Sequence, residues 1–432
     1  MALAQARIDL TEARIAALEL PHGANWANEA RHTALTRLRA MGLPTARDEY
    51  WKYTNPAELT VADAPAAALF DPGQDRRVFE DIDRLKIVFV DGVFDAAQSD
   101  DLSLEGLEIS RLSDVLKTDI HWAMDLYGHL ETHGQDPVAR PLAALNTAFA
   151  TDGIVIRATG RVSKPVSLIY LHQSETSDAV LHHVIRVEEG AEMTLLEQGP
   201  AAARFNKCTE VDLAPTARFH HIRAQGRDHA RRAVTHSFVR VAEAAHYKSF
   251  TLTCNGVLTR NEHVIDIVGD NAVAHVAGAA LGDGKRAEFH HDDTVFVTHR
   301  GEDCESRQVF KKVLRNGASG VFQGKILVTP GAQKTDGYQI SQALLLDDDS
   351  TFLAKPELEI YADDVKCSHG STTGAIDEEA LFYLRSRGVD HSTATDLLVL
   401  AFLAEAIDEI EDDTLRADIL AQLELWLARR RG

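Results

Sequence analysis

Paired cysteines are missing. The 432 residues hold four, Cys208, Cys254, Cys304 and Cys367, each far from the next. No CxxC pair and no zinc-ribbon spacing can be drawn from them. Cysteines this sparse suit a reducing compartment. Long apolar runs are missing too: no stretch approaches about 18 apolar residues, so no membrane-spanning helix is expected. The opening residues, Met1 to Asp9, mix charge into apolar positions. They lack the apolar centre of a secretion signal, and a cytoplasmic protein is the expectation. No dense basic run occurs, and 45 Lys and Arg face 66 Asp and Glu for a net charge of −21. Such a chain is repelled by phosphate backbones and anionic membranes. Neither a GxxxxGK[ST] phosphate loop nor a GxSxG elbow is present, so the chain is not expected to hydrolyse ATP or to act as a serine hydrolase.

What is present is ample core material, 45% hydrophobic residues, enough for two or three domains by length. Residues 2–20 have helical composition, with Ala4, Ile8, Ile15 and Leu18 on one face. A second helix is expected over Asn25 to Met41, stopped by Gly42-Leu43-Pro44. Tyr50, Trp51 and Tyr53 then crowd together; they are read as an anchor for the N-terminal helices rather than as a binding platform. Residues 61–110 read as mixed α/β, with two short strands meeting at Asp91-Gly92, and residues 112–133 read as helix.

From Ile154 the pattern turns to period two, as in Val166 to Leu171, Phe219 to Arg223 and Val264 to Val268. Between such runs stand Glu188-Glu189-Gly190-Ala191, Gly269-Asp270-Asn271-Ala272 and Arg315-Asn316-Gly317-Ala318. A turn recurring in that form suggests a coil of similar rungs, although its spacing is irregular. Pattern alone leaves a β-solenoid and a β-sandwich both open. Alternation of Thr, His, Arg and Glu with apolar residues suits a wall with one inward and one outward side. Helical segments before and after would cover the open ends of a coil. Residues 1–140 are therefore read as an N-terminal helical and mixed α/β domain, 141–370 as the β core and 371–432 as a C-terminal helical domain.

In that last part Asp377 is a plausible N-cap for Glu378 to Arg387, with Gly388 past its end. Thr393 to Asp396 fits a capping box. The following run, Leu397 to Leu403, is apolar all round and needs burial on more than one side, in a bundle core or under a partner. A last helix is expected over Leu415 to Arg429.

The chemistry gathers at Cys367-Ser368-His369-Gly370. In a strand, residues two apart share a face, roughly 6.5 to 7 Å apart at Cα. Cys367 and His369 would project together as candidate ligands for a metal or an iron–sulfur cluster. Two ligands are too few, since a closed zinc site or a [4Fe–4S] cluster wants four. Either another subunit completes the set, or the pair is a half-buried Cys beside a hydrogen-bonded His. His290-His291-Asp292-Asp293 and His299 are read as structural, because adjacent strand residues face opposite ways. Cys304 sits among Glu302, Asp303 and Glu305, read as a solvated charged turn.

Gln333-Lys334-Thr335-Asp336, Lys355 through Gly370 and Leu381 to Gly388 together closely resemble the SufB/SufD family of iron–sulfur cluster assembly proteins. Trp51-Lys52-Tyr53-Thr54, Ala144 to Phe149 and Gly320 to Ile326 also look like family blocks. The Cys-Ser-His-Gly form is that of the SufD branch; the SufB branch carries Glu-His-Glu-Ala there. The scaffold cysteine of SufB would fall near Gln342-Ala343, where no Cys stands.

The resemblance implies a mainly β fold, a right-handed parallel β-helix core flanked by N-terminal and C-terminal α-helical domains. It implies a non-enzymatic scaffold subunit that pairs with SufB through the β-helix and binds the SufC ATPase through the C-terminal helical domain. His369 matches an interface histidine implicated in nascent cluster assembly, and Cys367 a less certain neighbour. No tightly bound cofactor is expected in the isolated chain. A transient iron–sulfur cluster, iron acquisition and reduced flavin belong to the complex, and no stretch here reads as a flavin site. Two alternatives stand beside this. A polysaccharide-active β-helix enzyme is disfavoured by the missing signal segment and by 6% aromatics. A structural homodimer would use the surface that SufB otherwise covers.

Overall fold

The computed structural model describes residues 2–69, 77–225, 230–254, 256–285 and 288–429. The side chain of Ala4, and residues 70–76 and 430–432 of the stretches read above, lie outside the described residues.

Two ten-stranded sheets face each other, and from Ile154 onward the chain passes from one to the other at each successive strand. From Ile154 onward every strand pairs in parallel with the strand two further along. Such pairing excludes an antiparallel sandwich and makes the core a solenoid. The stack is in register: Glu192, Arg218, His246, Val273, Glu305, Asp336 and Lys366 lie one above the next. Antiparallel pairing is confined to the N-terminal side. There Val93–Phe94 folds back on Leu85–Val90 across Asp91 and Gly92, both at positive φ. Leu107–Arg111 runs against Ile154–Ala158.

One corner of the coil repeats strictly. A residue in the left-handed region (Thr216, Ala244, Asn271, Asp303, Lys334) precedes a small buried one (Ala217, Ala245, Ala272, Cys304, Thr335). Each left-handed residue donates its N–H across to the next turn. Thr216 bonds the Glu243 carbonyl at 2.8 Å, Ala244 that of Asp270 at 2.8 Å and Asn271 that of Glu302 at 2.9 Å. The small residue is required because it points into the crowded corner. The opposite corner has no fixed form and ranges from 316–318 in one turn to 172–177 in another. That variable corner makes the sequence period irregular. Cys304 is thus a corner residue, buried, with its thiol 3.2 Å from the Gly269 carbonyl, and not part of a solvated turn.

Over much of the coil both outer faces are covered, so the outward side is apolar there and the polar residues of the alternation turn inward. On one sheet Ile222, Phe250, Ala277 and Val309 pack outward against Val399, Leu403, Ile419 and Leu423 of the C-terminal helices. On the other lies helix Pro141–Phe149, buried at every residue. Asn146 locks it by donating to the carbonyls of Leu181 and Asn206, both at 3.0 Å. Asn206 returns a bond to the Leu142 carbonyl at 2.8 Å.

Helix Asn25–Met41 forms as expected, and the first helix ends at Ala16. The helix expected over 112–133 is broken into Leu112–Val115, a 3-10 turn at Trp122–Asp125 and His129–His133. Gly128, at φ 76, separates the last two. Asp377 caps Glu378–Ser386. The capping box at Thr393 does not form: Asp390 is the cap, accepting from the Thr393 N–H at 3.1 Å, and the helix runs His391–Ile407. That helix packs on the sheet as well as on the last helix, Asp413–Ala428, so it is not the centre of a free bundle. Among the described residues no helix is long and apolar enough to cross a membrane.

Candidate functional site

Strand Lys366–Gly374 closes one sheet and strand Thr351–Ile360 the other. Their far edges pair with no strand among the described residues. In the strand beneath, Gly337, Gln339 and Ser341 are the buried, inward-facing residues. The register places Cys367 over Gly337, His369 over Gln339 and Ser371 over Ser341. Cys367 and His369 therefore share the inward face at the open end of the coil. The Ser341 and Ser371 hydroxyls meet at 2.7 Å and fix that register.

Cys367 is half-buried against Ile326, Val328 and Leu358. Its sulfur lies so near the Gly337 backbone that a Cβ there would stand 3.1 Å from Sγ. Burial pushes the thiol pKa up, so at neutral pH it is a protonated ligand that must lose its proton to bind metal. The His369 side chain is exposed and makes no hydrogen bond among the described residues. The plainer reading of a hydrogen-bonded His therefore fails, while the half-buried Cys holds. Inward from His369, Gln339 donates to Gln308 at 2.8 Å. Among the described residues no group of three or more His, Cys, Asp or Glu could hold a metal ion. One thiol and one imidazole at an open strand edge are what the chain brings.

The other candidates are structural. His290 faces out to the Thr54 hydroxyl at 2.9 Å, and His291 faces in to Lys312 Nζ at 3.0 Å. His299 meets the Ser306 hydroxyl at 2.8 Å. The aromatic trio is an anchor. Arg260 stacks 4.1 Å over Trp51, and the Tyr50 hydroxyl donates to Glu357 at 2.9 Å, tying the N-terminal segment to the coil.

The largest feature that sequence reasoning missed is a polar chain inside the coil. Glu197 accepts from Lys207 and lies 2.6 Å from His221 and 3.2 Å from the Tyr170 hydroxyl. The same hydroxyl is 2.9 Å from His183. Further along, Arg223 donates to Thr235 at 3.0 Å, and Thr235 to Asn261 at 2.8 Å. Lys312 then donates to Asp293 at 2.6 Å. Burial alone would raise the Glu197 carboxyl, but Lys207 and His221 outweigh it and hold it well below the usual range. Burial lowers His183 and His291 to about 3. The signal was in the period-two alternation of Phe219, His221 and Arg223. What it lacked was which face turned inward.

On the helices that follow this strand, Phe382 is 73% exposed, Tyr383 55% and Leu397 46%. These are exposed large apolar side chains on the C-terminal helices, with Arg387 stacked 3.8 Å over the Tyr383 ring.

Comparison with known proteins bears on these features. The profile described as "SUF system FeS cluster assembly, SufBD core domain" matches residues 170–402. "SufBD protein N-terminal region" matches residues 1–168. The chain is 30% identical over 403 residues to the iron–sulfur cluster assembly protein SufD of Escherichia coli K12, covering 90% of each. A SufBD family protein of Synechocystis is 26% identical over 399 residues, covering 88% of this chain and 86% of that one. SufD of Bacillus subtilis 168 is 25% identical over 421 residues, covering 92% and 93%.

Proposed function

The chain belongs to the SufBD family of iron–sulfur cluster assembly proteins, and from that premise we propose that it works as the SufD-type scaffold subunit of a larger assembly. The reading rests on the terminal strand Lys366–Gly374, with a half-buried thiol and an exposed imidazole beside an unpaired sheet edge. A SufB-type subunit seated on that end pairs the free edges and supplies the ligands this chain lacks. The cluster is cargo, formed at the seam and passed on. This chain's part is to hold Cys367 and His369 in position and to take no catalytic step itself. It works in the cytoplasm, its coil is right-handed as parallel crossovers almost always are, and residues 1–140, 141–370 and 371–432 act as its three units.

The exposed side chains of Phe382, Tyr383 and Leu397 support docking of a SufC-type ATPase on the C-terminal helices. Deleting residues 377–432 is a poor test of that docking. The cut would strip Val399, Leu403, Ile419 and Leu423 from the sheet and unfold the chain for unrelated reasons. Replacing Phe382 and Tyr383 by Ser leaves the core intact, and loss of co-purification with the ATPase is the expected result.

Amide hydrogen exchange tests the pairing. Strands Thr351–Ile360 and Lys366–Gly374 should exchange fast in the free chain and slowly once a SufB-type subunit is added. A complex of the right mass that leaves both strands unprotected would overturn the proposal. Without that partner, the same free edges fit a second copy of this chain. A homodimer that gives way to the heterodimer on mixing is the corresponding expectation.

A further inference from the structure

Of the largest buried side chains five are arginines: Arg14, Arg204, Arg223, Arg231 and Arg260. Arg14 and Arg204 share Asp178, and Arg260 holds Glu262 and Asp292. Arg223 lacks a bound carboxylate but spends its donors on Thr251, Thr235 and His263 at 2.8 to 3.0 Å. Arg231 differs. It is 1% exposed, and its one hydrogen bond among the described residues runs from Nη1 to the Pro200 carbonyl at 3.0 Å. Its Nε and Nη2 have no partner among the described residues. Arg223, the other charge acting on it, is itself a cation and opposes its ionisation.

A desolvated guanidinium with open donors and a cation for a neighbour is an unbalanced arrangement. Charge balance calls for an anion. A cleft of about 710 Å³ lies nearby: it is lined by Pro200, whose carbonyl Arg231 holds, and by Ala224, which follows Arg223. Its rim carries Arg77, Arg84, Lys86 and His172 along with the acids Glu80 and Asp83.

We propose that Arg231, backed by Arg223, forms a buried binding site for a small inorganic anion, reached from this cleft. Nε and Nη2 lie on one edge of the guanidinium, the forked geometry that suits a single halide-sized ion or two oxygens of an oxyanion. The site is separate from the Cys367 end of the coil and stands or falls independently of the assembly role.

Crystals of the full-length chain soaked in sodium bromide, with data collected at the bromine edge, test the site directly. The expected result is an anomalous peak within hydrogen-bond distance of the Arg231 guanidinium. Sulfate at the same place in a parallel soak would identify an oxyanion site; bromide alone would identify a halide-sized one. No density at Arg231 in either soak overturns the proposal, and this holds whether or not any variant folds. In solution, exchanging gluconate for bromide at constant ionic strength should raise the unfolding midpoint of the wild type along a saturating curve. It should leave Arg231→Met flat. An equal rise in both proteins would also refute the site.

Discussion

Lys207→Met is the most informative single change to the interior of the coil. Lys207 is fully buried and grips the Glu197 carboxylate, which His221 and Tyr170 also approach at 2.6 and 3.2 Å. Burial lowers the lysine pKa to about 8, so its charge is kept by Glu197. Met preserves the stem and most of the volume and removes only the ammonium. Glu197 is then a buried carboxylate that has lost its contacting cation and keeps only His221, Tyr170 and the more distant Arg223 charge. Breaking one member of a buried pair costs about 3–5 kcal/mol, whereas neutralising both is often tolerated. Urea unfolding of the full-length chain, followed by tryptophan fluorescence, should show the single variant destabilised by about that amount. The double variant Lys207→Met/Glu197→Gln should recover most of the loss. A single variant within about 1 kcal/mol of wild type, or a double variant worse than the single, would refute the view that this charge pair is balanced within a dry interior.

Acid should weaken the coil early. Burial holds His183 and His291 near pKa 3 in the folded chain, against about 6.5 unfolded. Between those values the unfolded chain binds more protons, so stability is complete above about pH 6.5 and is lost as the pH falls toward 3. At pH 5 each histidine costs about 2 kcal/mol, and unfolding midpoints unchanged between pH 7 and 5 would contradict this. Trp51→Ala removes the ring beneath Arg260 and should cost about 3–5 kcal/mol, read as earlier proteolysis of the N-terminal helices. Ala272→Leu crowds a corner with no spare volume and should cost about 1–3 kcal/mol by urea unfolding, whereas Glu189→Leu, at an exposed turn position, should cost little.

The parts of the fold legible in the sequence are those fixed by local chemistry. Asp377 announces its helix because a capping carboxylate bonds the next turn whatever lies around it. Asp91-Gly92 announces its turn because both residues tolerate positive φ. Cys367 and His369 share a face because a strand has period two. What remained hidden depends on packing from far along the chain. Ile222 points outward and Arg223 inward because helices about 180 residues later cover the sheet. No pattern within the strand records that cover. Arg231 was invisible for a related reason: its orphaned donors exist only once Pro200 and Arg223 have been brought against it by neighbouring turns.

Cluster assembly by the whole complex, with His369 replaced by Ala, is the sharpest test of the seam. The complex of this chain with SufB-type and SufC-type subunits is prepared, and its iron, sulfide and visible absorbance are measured against wild type. The account predicts an intact, correctly sized complex that builds almost no cluster. Wild-type iron and sulfide in the His369→Ala complex would contradict it.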